Sequence, residues 1–429
     1  WDPRSTLSGS VANELQAGQF FEGGVDLTEL TGVGIDSCIN SFILETRASH
    51  RISAKLHDFV GGSLSTCGTI IVRKFTDPTP DTTPFDFTVT GFDPFQLADD
   101  EERIFSSLLP DTYWVSESTP PPGWTLDYAE CALDADGDSE LSEAEIIATG
   151  FDPETDPVIV GLNEVYICHF HNVKEATLTL EKTVINDDGG TLEETDFQAY
   201  IDAGSVDWDT AYTYNPSGSG EILVASEDEQ TGYAASNWGG DCAAGGSVTL
   251  YPGDNKTCTI TNDDVAPTLK LVKTVTNDDG GNAVEDDWTL YAAAGGDRDF
   301  NNAGGSGEFE TVYANASYDL SESAGPDGYT PGSWSCDGGT QVGSAITLAL
   351  DDDVTCTINN DDIAPTLKLV KTVDNRDGGT AVPDNWTLYA AAGSARDFNN
   401  AGGSGIFETV FANASYDLSE SAGPDGYTP

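Results

Sequence analysis

Methionine is absent from the 429 residues, and lysine and arginine together number 17 against 74 acidic residues. The net charge of −57 excludes a nucleic-acid-binding surface and disfavours anionic membranes, since like charges repel. It attracts cations and favours solubility in salt, which points to secretion into a saline setting. No apolar run is long enough to span a bilayer, and no signal peptide precedes Trp1. The chain is therefore read as a stretch of a longer protein whose export signal and any anchor lie outside it. No Ser-His-Asp set, HExxH motif, phosphate-binding glycine loop or dinucleotide fingerprint is discernible, so no enzyme is expected.

Long helical apolar patterns are also missing, while glycine is abundant with 46 residues. That combination favours short strands joined by turns. The strands come in repeats. "TLKLVKTVTNDDGG" begins at Thr268 and "TLKLVKTVDNRDGG" at Thr366, and residues 268–331 and 366–429 differ at nine positions. A more distant copy begins "TLTLEKTVINDDGG" at Thr177, and a further one "TIIVRKFTD" at Thr69. The predicted organisation is the end of a preceding β domain at 1–68, with strand-like runs "SFILETRAS" and "ISAKLHDFV". Repeats follow at 69–173, 174–265 and 266–363, with a truncated repeat at 364–429. Units of this length are domains in a row, each an all-β, Ig-like sandwich of about seven strands. The junctions "DDVAPT" and "DDIAPT" are short and hold proline, which limits bending and predicts a semi-rigid array.

Eight cysteines fall two per segment. The expected pairs are Cys38 with Cys67, Cys131 with Cys168, Cys242 with Cys258 and Cys336 with Cys356, formed in an oxidising compartment. Cys258 and Cys356 share strand parity with Ile260 and Ile358, which suits a bridge across the core.

Parity also exposes a polar set. Side chains two apart share a face of a strand. In the opening strands Lys74, Lys182, Lys273 and Lys371 fall in line with apolar residues, and they are four of the nine lysines in the chain. Glu117, Glu227, Glu322 and Glu420 do the same in strands such as "YDLSE", as do Asn172, Asn262 and Asn360 in the closing strands. Burying any one of these alone is costly, so the three are expected to meet. Desolvation lowers the lysine pKa and raises that of the glutamate. A neutral amine is a nucleophile, and a protonated carboxyl can polarise the Asn carbonyl and shuttle protons. The product is a Lys–Asn isopeptide bond with release of ammonia. Two alternatives stay open: an ion pair capped by the amide, and a set that reaches solvent at the sheet margin.

"LKLVKTV", "SYDLSESAGPDGY" and "CTINND" resemble the signature strands of collagen-adhesin B-type and SpaA-type pilin domains, found in bacterial surface proteins. The resemblance covers roughly 69–429. It implies a prealbumin-like fold and a first-strand Lys joined to a last-strand Asn with help from a Glu. It assigns those roles to Lys74, Glu117 and Asn172, to Lys182, Glu227 and Asn262, and to Lys273, Glu322 and Asn360. Lys371 and Glu420 have no visible Asn partner. The repeat from Thr177 departs from the pattern, reading "SEDEQTGY" without proline.

"DADGDSELSEAE" fits a calcium loop inserted in the first repeat. Asp134, Asp136, Asp138, Glu140, Ser142 and Glu145 stand at positions 1, 3, 5, 7, 9 and 12, where hard oxygen ligands wrap one cation. The usual glycine at position 6 is Ser139. The "NDDGG" turns and the pairs Asp263-Asp264 and Asp361-Asp362 offer cation sites between domains, with plain turn chemistry as the competing reading. His169 and His171 share an outward face but lack a third ligand. Asn255, Asn315, Asn385 and Asn413 lie in N-x-S/T sequons.

Two functions fit. One is a structural stalk of a secreted or cell-surface protein, holding an adhesive module with an extracellular ligand away from the cell. The other makes the repeats themselves a multivalent binder of glycan, protein or mineral.

Overall fold

A strand that opens a domain and a strand that closes it pair only if the intervening chain folds between them. In the first repeat the opening strand Gly68–Asp77 lies parallel to the closing strand Val165–Lys174. The computed structural model describes Cys38, residues 41–47, 56–63 and 66–429. Most of the expected preceding domain lies outside these residues. Its described strands, Ser41–Arg47 and Leu56–Ser63, form an antiparallel hairpin. The described residues form two compact units that part within the second repeat. One holds residues up to 178 with 211–223 and 249–256, and the other holds the remainder.

In the first unit, Glu102–Leu108 flanks the opening strand and Trp124–Leu133 flanks the closing strand, both antiparallel. A second sheet orders Phe95–Leu97, Phe85–Val89 and Val115–Glu117. Alternation decides which side chains go inside: Phe85, Phe87 and Val89 are buried and the residues between them exposed. Ile70, Val72, Phe87, Val115, Cys168 and Phe170 share one core.

The third repeat, within the second unit, repeats the plan. Its opening strand Thr268–Thr276 runs parallel to Asp353–Asp362. The facing sheet orders Phe300–Ala303, Thr289–Ala293, Ser317–Glu322, Ala345–Thr347 and Thr340–Val342. Leu269, Leu271, Leu290, Tyr318, Leu320 and Ile358 pack between the sheets. The fourth repeat has nearly the same residues, yet its opening strand is only Thr366–Leu367. A parallel closing partner holds the third opening strand over nine residues, and none is described for the fourth.

All four expected cysteine pairs are joined. The bridge across the core is corrected. Cys131 stands directly opposite Cys168, and Cys336 opposite Cys356, on neighbouring antiparallel strands. These disulfides tie strands within one sheet and leave the gap between sheets to apolar packing.

Candidate functional site

Parallel pairing sets the geometry of the polar set. Lys74 stands opposite Phe170 and Lys273 opposite Ile358. The asparagine is therefore two residues further along the neighbouring strand, on the same inward face. The glutamate comes from the facing sheet, at the end of Val115–Glu117 or Ser317–Glu322.

In the first repeat Lys74 and Asn172 are 0% exposed. Lys74 Nζ donates to Asn172 Oδ1 at 3.0 Å and to the Phe170 carbonyl at 3.3 Å. Asn172 Nδ2 donates to Glu117 Oε1 at 2.6 Å. The Phe85 ring lies 4.3 Å from the ammonium. Burial lowers the Lys74 pKa to about 8, against the opposing pull of Glu117. Burial raises Glu117 to about 7, against the pull of Lys74 and the Asn172 hydrogen bond. In the third repeat the glutamate stands in the middle. Lys273 Nζ donates to Glu322 Oε2 at 2.6 Å and Asn360 Nδ2 to Glu322 Oε1 at 2.9 Å. In the second repeat Lys182 pairs with Glu227, and Asn262 is buried beside the pair's strands. Burial lowers the pKa of both Lys182 and Lys273. Lys371 pairs with Glu420 in the fourth repeat, where both side chains are more exposed than Lys273 and Glu322.

Asn262 Oδ1 and Asn360 Oδ1 are buried without a hydrogen-bond partner, as are Glu117 Oε2 and Glu227 Oε1. A free amide oxygen and a free carboxyl oxygen occur together in the second repeat, at Asn262 and Glu227.

Aromatic rings over the lysines were not singled out by the sequence. Phe197 lies 4.1 Å from Lys182, Trp288 4.7 Å from Lys273 and Trp386 4.7 Å from Lys371. Their signal was a shared place in the repeats, in "DFQAY", "DWTLY" and "NWTLY". A ring face stabilises the cation while excluding water.

In the loop 134–145 the carboxylates of Asp134, Asp136 and Glu145 lie within 4.8 Å of one another. Asp134 accepts the N–H groups of Gly137 and Ser139 at 2.7 and 3.1 Å. Ser139 takes φ 65°, the conformation for which glycine is usual. Ser142 caps the helix Glu143–Thr149, and its hydroxyl bonds Glu145 at 2.7 Å. Hydrogen bonds from Ser142 and Ala135 pull the Glu145 pKa down to about 2. The Glu140 side chain pairs with Arg73 at 2.9 Å, and the Asp138 carboxylate accepts the Glu140 N–H at 2.8 Å.

The acidic pairs at the repeat ends gather carboxylates with their own turns, Asp264 with Asp187 and Asp188, and Asp362 with Asp278 and Asp361, within 4.8 Å in each group. Asp264 and Asp362 turn inward and hold their own repeat's turn. Asp362 accepts the N–H groups of Asp279, at 2.9 and 3.0 Å, and of Gly281, at 2.5 Å. Asp264 does the same for Asp187, Asp188 and Gly190. The Tyr329 hydroxyl completes the clamp, donating to Asn277 and accepting from the Ala283 N–H at 2.9 Å.

His169 and His171 are not brought together as ligands. His169 packs edge-on to Phe75 and His171 stacks on Tyr128. Burial, with Arg73 nearby, lowers the His169 pKa to about 4, below the ordinary unfolded value of about 6.5. The unfolded chain therefore binds the extra proton first. The first repeat should lose stability as pH falls from about 6.5 towards 4, and no further from this group below that. Melting curves across this range check it, with His169→Gln expected to flatten the dependence.

Tandem β-sandwiches with parallel first and last strands and an inward Lys, Glu and Asn define a class of repeat domain. The chain belongs to the SpaA-type prealbumin-like fold domain family, which matches residues 174–260, 264–358 and 362–429. Among solved structures, the Bacillus anthracis TIE protein is 14% identical, with TM-score 0.32, covering 72% of this chain and 54% of its own. The pilus adhesin SpaC of Lactobacillus rhamnosus GG is 12% identical, with TM-score 0.25, covering 76% and 46%. Two B repeat units of the Staphylococcus aureus collagen binding protein are 12% identical, with TM-score 0.22, covering 84% and 95%. The chain thus spans about half the length of the first two. No curated protein matches the sequence.

Proposed function

We propose that these repeats form the stalk of an extracellular surface protein and that each complete repeat is closed by a Lys–Asn isopeptide bond. The supporting observation is the gathering of Lys273 and Asn360, from the first and last strands, on the single carboxyl of Glu322. The neutral Lys amine attacks the Asn Cγ, forming the C–N bond. The carboxyl donates to the amide oxygen and passes the amine's proton to the departing nitrogen, which leaves as ammonia. Tension then runs from first strand to last through a covalent bond, bypassing the rest of the sandwich. The disulfides fit an oxidising compartment, and among the described residues no helix is long and apolar enough to cross a membrane. The ligand belongs, on this reading, to an adhesive module beyond these residues. Single-molecule stretching tests the stalk. The complete repeats should resist extension, and release of each repeat's full contour length under force would reject it.

Calcium is proposed for the loop 134–145. Asp134, Asp136 and Glu145 fit a hard cation, and without one their charges repel. A lone loop binds at the millimolar end seen in extracellular modules. At ten times Kd the ion should stabilise the first repeat by about 1.4 kcal/mol. Calorimetry with calcium and with chelator checks it. Equal melting temperatures remove the site, and a shift that survives Asp134→Ala with Glu145→Ala places the ion elsewhere.

A further inference from the structure

The "NDDGG" turns face forward as well as inward. The Asp188 carbonyl accepts the N–H of Ala314 in the next repeat at 2.8 Å. The Gly189 carbonyl accepts Asn315 Nδ2 at 3.0 Å. The Asp188 carboxylate pairs with Arg298, which also donates to the Val312 carbonyl at 3.2 Å and lies 4.1 Å from the Tyr313 ring. The same contacts recur one repeat later. The Asp279 carbonyl accepts Ala412 N–H at 2.7 Å, the Gly280 carbonyl accepts Asn413 Nδ2 at 3.0 Å, and Asp279 pairs with Arg396.

The geometry points to a joint built into the repeat, in which each turn is a socket for the following repeat. The partner it fits is a repeat that carries arginine at the place of Arg298 and asparagine at the place of Asn315. This deepens the stalk reading and rests on it. The second repeat, residues 174–265, contains no arginine, so it supplies a socket but not this plug. Asn315 and Asn413 take φ 60° and 55°, and each donates one amide hydrogen to the joint.

The turn glycines carry the clearest mark. A Cβ on Gly189 would lie 2.3 Å from the Ala314 carbonyl oxygen, and one on Gly280 2.4 Å from that of Ala412. Gly378, the equivalent in the fourth repeat, has φ 94°, close to the 95° of Gly280, but nothing within 4 Å. The backbone strain of a substitution is therefore the same at both places, and only Gly280 adds a collision with a neighbour.

Hydrogen exchange of the whole chain, read by mass spectrometry on peptides containing Ala314 and Ala412, tests the joint. Both amides should be protected. Gly280→Ala should speed exchange at Ala412 by about tenfold or more, leaving Ala314 and the strand Asp353–Asp362 unchanged. Gly378→Ala should leave Ala412 as it was, and Arg396→Gln should speed it. Exchange at Ala412 as fast as in exposed turns of the unaltered chain would overturn the joint, as would equal effects of the two glycine substitutions. Exchange reports the joint and stretching reports the strands, so either reading can fail alone.

Discussion

Glu322→Ala is expected to return the mass of one ammonia to the chain and to lower the melting temperature of the third repeat. Two effects add. Without the carboxyl the bond does not form, and the closed loop spanning most of the repeat loses about 4–5 kcal/mol on the chain-entropy estimate. Lys273, 2% exposed, is also left without its counter-charge, and breaking a buried pair from one side costs about 3–5 kcal/mol. Asn360→Ala separates them, since it removes the amide that forms the bond and keeps the Lys273–Glu322 pair. Calorimetry and intact mass on the same samples decide it. A third repeat that melts unchanged in Glu322→Ala would contradict the account. Bond formation in the first repeat should also depend on pH. The reactive form, neutral Lys74 with protonated Glu117, holds one proton in all. Its population should peak between about 7 and about 8 and fall on either side.

Asp362→Ala should be the next most damaging change. Asp362 is 6% exposed, and its carboxylate takes backbone N–H groups from Asp279 and Gly281. Hydrogen bonds to a charged group contribute about 1.5–3 kcal/mol each, and donors left buried cost more. The expected loss is about 3–6 kcal/mol by that scale. The freed turn should also loosen its grip on Ala412. Asp362→Asn should fall between, because its amide keeps one acceptor and brings an unwanted donor. Urea unfolding monitored on third-repeat peptides measures this. A loss of less than about 1 kcal/mol, the net worth of one ordinary hydrogen bond, would mean that the turn holds itself.

Strand parity made the polar set legible because a period of two places every second side chain inside, whatever the tertiary detail. Carried two residues past Asn360, the same parity reaches Asp362 and would have revealed the turn clamp. The parallel pairing of first and last strands was not legible, because register across most of a repeat depends on everything folded between. Glu140 was drawn to Arg73, a residue far along the chain, and no local loop pattern encodes that pull. The joint was hidden for a related reason. Arg298 and Asn315 look like ordinary surface residues until the preceding turn is set against them. The fourth repeat shows the limit most clearly: Lys371 has the neighbours of Lys273 in sequence but not the closing strand that buries it.

The most direct test of the central claim is the intact mass of the unaltered protein. Four disulfides account for the loss of their hydrogens. Beyond that, one ammonia should be missing for each complete triad: Lys74 with Asn172, Lys182 with Asn262 and Lys273 with Asn360. Digestion should yield branched peptides that join those same residues. A mass equal to the sequence less only the disulfide hydrogens would contradict the covalent reading and leave the triads as buried ion pairs.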